Sequence, residues 1–102
     1  MSTAPTGGER RAHPRRPVQW PARIWIGADT LVGLAIDVSE QGLCIATAPT
    51  SSVKVGSSYR IELLAEQGAE IAFNGEVRHV TERRIGVHAV QIVLPRLHIA
   101  RD

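Results

Sequence analysis

Val18-Gln19-Trp20-Pro21-Ala22-Arg23-Ile24-Trp25-Ile26 decides the fold. Val18, Trp20, Ala22, Ile24 and Ile26 alternate with Gln19, Pro21, Arg23 and Trp25, a period of two that reads as a half-buried strand. Pro21 has no amide hydrogen to donate, so it belongs at a bulge or a sheet edge. Gly27-Ala28-Asp29 then reads as a turn, and the same grammar repeats down the chain. Further strands are expected over about Leu31 to Asp37, Gly42 to Ala48, Ser58 to Ala65, Glu70 to Val80 and Ile85 to Leu94. Pro49-Thr50-Ser51-Ser52, Glu66-Gln67-Gly68 and the charged Thr81-Glu82-Arg83-Arg84 lie between them as loops or turns, and Pro95 stops the last strand. Six short strands with turn signals between them imply an all-β chain, a barrel or a sandwich.

The 102 residues suffice for one domain with a modest core. That core must rest on Val, Ile, Leu and Ala, because Trp20, Trp25, Tyr59 and Phe73 are the aromatic residues. Cys44 has no second cysteine to pair with, so a reducing compartment and a buried structural thiol are the simplest reading. No apolar run approaches the ~20 residues of a membrane helix, and the prolines near the N-terminus break any signal-peptide core. Both point to a cytoplasmic protein without membrane insertion.

Charge is unevenly placed. Arg10, Arg11, Arg15 and Arg16 against Glu9 give residues 1–16 a net of +3, whereas the whole chain is +2, which leaves −1 for the rest. Residues 1–9 lack apolar periodicity and are expected to be disordered. Residues 10–17, with Pro14 and Pro17, are expected to form an extended arm. The barrel is expected over 18–95, and 96–102 as a tail with at most one helical turn.

Two segments could carry chemistry. Arg11-Ala12-His13-Pro14-Arg15 is an Arg-x-x-x-Arg flanked by Arg10 and Arg16. Guanidinium forks bond phosphate oxygens and the O6/N7 edge of guanine bidentately. They also stack on aromatic faces. Read alone, the segment is more simply a solvated basic tail. Asp37-Val38-Ser39-Glu40-Gln41-Gly42 is the second. Asp37 and Ser39, two apart in extended chain, point the same way, and a carboxylate beside a hydroxyl suits a guanine edge. Gly42 permits a positive φ or a close backbone approach. Read alone, this is more simply an ordinary hairpin turn.

Taken in order, with Asp37 22 positions after Arg15, the two segments resemble the PilZ domain family, receptors for the bacterial second messenger cyclic di-GMP. That family's pattern is Arg-x-x-x-Arg followed by (Asp/Asn)-x-Ser-x-x-Gly, and both halves stand here without substitution. Gly56, Gly75-Glu76-Val77-Arg78 and Ile85-Gly86-Val87 continue the likeness over roughly residues 9 to 94. The resemblance implies a six-stranded antiparallel β-barrel. It implies that Arg11 and Arg15 contact guanines and phosphates, with Arg10 as a further phosphate contact. Asp37 and Ser39 would hold a guanine and Gly42 would shape the turn. Arg16 and Arg78 are secondary candidates, Arg78 reading more simply as a solvent-facing strand residue. One or two cyclic di-GMP molecules can bind in such a family, and no cofactor beyond this ligand is implied. With no output module visible, the effect would pass to a partner protein in trans, from a monomer or weak dimer.

Other classes fit less well. His13, His79, His88 and His98 have no zinc-ligand spacing. Ser39 and Asp37 point into the same space, whereas a hydrolytic triad places its histidine between them. An enzyme is therefore not expected. The rivals are a ligand-independent PilZ-like interaction module, whose known examples typically lack the arginine motif, and non-specific nucleic-acid binding by the basic arm.

Overall fold

The alternation around Trp20 builds the first strand of a barrel in the computed structural model, which describes residues 14–94. The strands are β1 (Arg16–Ile26), β2 (Asp29–Val38), β3 (Gly42–Thr47), β4 (Ser58–Leu64), β5 (Glu70–Arg84) and β6 (Val87–Val93). All pairings are antiparallel in the closed order β1-β2-β3-β6-β5-β4. Closure gives every strand a hydrogen-bonded neighbour on each side. The expected fold, an all-β six-stranded antiparallel barrel, is the one observed. Among the described residues no helix is long and apolar enough to cross a membrane.

The inward set of β1 behaves as its alternation requires. Ala22 and Ile24 are buried, Val18, Trp20 and Ile26 half-buried, and Gln19, Pro21 and Arg23 exposed. Ile24, Ile45, Ile61, Val77 and Val90 are fully buried, one from each strand except β2, which contributes Ala35. Burying each Ile or Val side chain is worth about 1.5–3 kcal/mol, so aliphatic packing replaces the missing aromatics. The apolar run at 89–94 faces this core through Val90 and Ile92. Pro21 sits just before the β1–β4 ladder begins at Ala22, close to a bulge between Pro17 and Trp20.

Several boundaries differ from the sequence expectation. β1 starts at Arg16, because Arg16 and Pro17 already pair with Val38 and Asp37. Thr81-Glu82-Arg83-Arg84 is no turn: it extends β5, with Thr81 opposite Ala89 and Glu82 opposite His88. Charged side chains are tolerated there because that part of β5 is exposed. The chain reverses instead at Ile85-Gly86, where Gly86 adopts φ 82° and Ile85 is 93% exposed. Only glycine takes that left-handed backbone without cost. The sixth strand accordingly starts at Val87, not Ile85.

β3 and β4 are not neighbours, so the connection between them must cross the barrel. Val53 in this loop is buried against the core. The Tyr59 hydroxyl accepts the Lys54 N–H at 2.9 Å, and the Gly56 N–H donates to the Val77 carbonyl at 2.7 Å. Tyr59→Phe removes the first of these, and chemical denaturation should show a loss of about 1 kcal/mol with an unchanged slope.

Candidate functional site

β2 and β3 carry the Asp-x-Ser-x-x-Gly segment across their connection. Asp37 lies opposite Pro17 of β1 on one side and Cys44 of β3 on the other. Beyond Val38 the turn closes on itself. The Ser39 N–H donates to the Gly42 carbonyl at 2.8 Å, and the Gln41 N–H donates to Ser39 Oγ at 3.3 Å. Ser39 Oγ also donates to the Gly42 carbonyl at 3.4 Å. The turn is anchored to the end of β6 by the Leu94 N–H, which donates to the Gln41 carbonyl at 2.8 Å. Of the two reasons offered for Gly42, close approach is the operative one. Gly42 is not among the positive-φ glycines, and a Cβ there would run into the Ile92 carbonyl oxygen.

Arg15 reaches this segment. Its Nη1 donates to Asp37 Oδ1 at 2.5 Å, joining the two sequence motifs across 22 residues. Arg16 stands beside it, with its guanidinium 5.7 Å from the Trp20 ring centroid and 3.4 Å from Glu66 Oε2. The Arg15 and Asp37 side chains are 32% and 29% exposed, so water screens their pairing. Such a pair adds under about 1 kcal/mol. Arg15→Gln should therefore lower the melting temperature by no more than a few degrees, a result thermal unfolding would check. Arg10 and Arg11, with His13 and His98, lie outside the described residues.

Cys44 is 4% exposed although it sits on the side of β3 opposite the core-facing Leu43 and Ile45. Burial pushes its thiol pKa up and the Asp37 carboxylate adds to that, while Arg15 and Arg83 pull it down. The thiol is a neutral buried group on the residue that pairs with Asp37 in the ladder.

A cavity of about 1000 Å³ opens at one mouth of the barrel. Trp20, Val38, Leu63, Phe73 and Leu94 supply much of its apolar lining, and Ser39, Gly42 and Arg78 stand on its wall. Arg78 is exposed and lies at a β5 bulge between Val77 and His79. The structure thus places Ser39, Gly42 and Arg78 around the mouth and Arg15 with Asp37 outside it. Trp20 links the two regions, since it lines the mouth and lies under Arg16. Sequence reading counted Trp20 only among inward residues; a Trp four positions after an arginine at a strand start was the available signal. His79 and His88 lie on paired strands but face Gln91 and Glu82 respectively. Among the described residues no three His, Cys, Asp or Glu side chains converge.

The family model described as the PilZ domain matches residues 9–97. Among the solved structures that resemble the barrel are the following three. The PilZ domain of YcgR from Escherichia coli, solved with c-di-GMP, is 17% identical with a TM-score of 0.75, over 83% of this chain and 77% of that one. YcgR from Escherichia coli in complex with c-di-GMP is 20% identical with a TM-score of 0.70, over 85% of this chain and 38% of that one. The Bacillus subtilis inhibitor of motility MotI/DgrA is 18% identical with a TM-score of 0.71, over 86% of this chain and 43% of that one. At these identities the likeness establishes a shared fold. The chain spans less than half the length of the last two. No curated protein matches the chain significantly.

Proposed function

This chain belongs to the PilZ domain family, and from that premise we propose that it is a cyclic di-GMP receptor whose ligand lies on the outer barrel surface beside Asp37. The observation that carries the reading is the Arg15–Asp37 pair, which brings the two halves of the family's motif into contact. A guanine edge offers donors to Asp37 and acceptors to Arg15, so both groups can turn from each other to the ligand. Ser39 and Gly42 form the adjoining turn, and Arg10 and Arg11 extend the supply of guanidinium groups for phosphates. Arg16 and Arg78 are secondary contacts.

The apolar mouth is a poorer seat for this ligand. Phosphates need cationic donors, and Arg15 stands outside the mouth, whose lining among the described residues includes a single arginine, Arg78. The outer surface supplies what the ligand's chemistry demands.

Binding would draw the arginine segment ahead of Arg15, whose contact with Asp37 is already in place, against the barrel and so create a surface for an effector protein in trans. The two structural relatives named for motility inhibition and c-di-GMP binding support that class of role. The protein acts as an adaptor without catalysis of its own, in the cytoplasm, as a monomer or weak dimer. Titration calorimetry of the full chain tests the reading, with cyclic di-AMP, GTP and bulk RNA as competitors at two salt concentrations. Cyclic di-GMP should bind and resist all three. Competition by RNA that weakens steeply with salt would instead favour charge-driven nucleic-acid binding. No binding at all would favour a ligand-independent interaction module.

A further inference from the structure

The ladder register carries the outer surface well past Asp37. Asp37 pairs with Cys44, Cys44 with Gln91 and Gln91 with His79, so β2, β3, β6 and β5 each contribute one residue to a single row. Directly opposed residues in antiparallel strands project to the same face. That face is the outer one, because Leu43, Ile45, Val90 and Ile92 on the alternate positions fill the core. Three strand intervals make the row about 14 Å long. A single base does not cover that span, and a dinucleotide does.

The far end of the row has its own recognition chemistry. Gln91 is half-buried and offers an amide donor and acceptor to a base edge. His79 is exposed at the bulge that follows Val77, and its flat ring can stack on a base or donate to a phosphate. Arg83 is exposed further along β5, at a second bulge between Glu82 and Arg84. Its charge is felt at the Cys44 thiol, in the middle of the row, together with that of Arg15. A ligand with two guanines and two phosphates needs two such sets of partners. The Arg15–Asp37 end supplies one.

We propose that the ligand surface continues from Asp37 across β3 and β6 to β5, where His79, Gln91 and Arg83 contact the ligand's second half. This rests on the receptor reading above.

Calorimetry with cyclic di-GMP on the full chain compares wild type, His79→Ala and Arg83→Ala, with Arg60→Ala on β4 as the control. Each of the first two variants should bind about fivefold more weakly or worse, the order of loss when a stacking or charged partner is removed, and the control should match wild type. Proton NMR supplies a second readout. The ring resonances of His79 should move at saturation, while those of His88, whose Nδ1 accepts the Thr50 N–H at 3.3 Å, stay in place. Wild-type affinity in both variants, or weakened binding with His79 unmoved, overturns the extension and leaves the Arg15–Asp37 site standing. A wild type that does not bind cyclic di-GMP overturns the receptor reading and the extension with it.

Discussion

Asp37→Ala is expected to weaken cyclic di-GMP binding by about a hundredfold or more while shifting the melting temperature by only a few degrees. In the proposed receptor the carboxylate accepts from a guanine's ring N–H and amine, and it also holds Arg15 through the 2.5 Å hydrogen bond. Each charge-assisted hydrogen bond contributes about 1.5–3 kcal/mol, and losing two exceeds the roughly 2.8 kcal/mol of a hundredfold change. Stability responds differently because the pair is about one-third exposed and screened. A loss under about 1 kcal/mol moves the melting point of a domain this size by at most about 4–8 °C. Calorimetric titration beside a thermal melt separates the two. Affinity within threefold of wild type would remove Asp37 from the site.

Gly42→Ala should act in the opposite way, on the fold before the ligand. Gly42 faces Val93 in the β3–β6 ladder, and an added methyl would overlap the Ile92 carbonyl oxygen and crowd Val93 Cα at 3.3 Å. Those neighbours are backbone and cannot rotate aside. Overpacking of this kind costs about 3 kcal/mol, which lowers the melting temperature by more than about 10 °C. Thermal unfolding measures it directly, and an unchanged melt would show that β6 yields easily. Binding should fall as well, because the same ladder holds the Ser39–Gly42 turn in place. The two substitutions thus separate a proposed ligand contact from a shape-setting residue within a single six-residue motif.

Much of the fold was legible because alternation is a strong signal where one face is buried. The inward residues of β1 follow from it directly, and the aliphatic composition announced a core without aromatic clusters. The β5–β6 connection was misread because charge and turn propensity look alike in one dimension. Thr81 to Arg84 are polar because they are exposed, and only Gly86 satisfies the backbone requirement of a reversal. At the site, residue types and spacing pointed to Asp37, Ser39 and Gly42. The role of Gly42 was left between two possibilities, since the approach of Ile92 is set by a strand 50 positions away. The row through Gln91 and His79 could not be read at all, because it depends on ladder registers shifted by bulges at Ala35/Asp37 and Val77/His79.

The barrel closes where β1 meets β4, and that ladder has four residue pairs against nine between β1 and β2. The four join positions 35 to 41 apart in sequence, whereas the β1–β2 hairpin turns on Gly27 and Ala28. Long-range closure is slow to form and, when short, first to open. Breathing of the ring is therefore expected to begin at the β1–β4 seam. Arg15 immediately precedes β1 and Asp37 lies on β2, strands already zipped together at Arg16–Val38 and Pro17–Asp37. The seam can part and reseal while that ion pair stays assembled, so the proposed ligand surface is insulated from the weakest joint of the molecule that carries it.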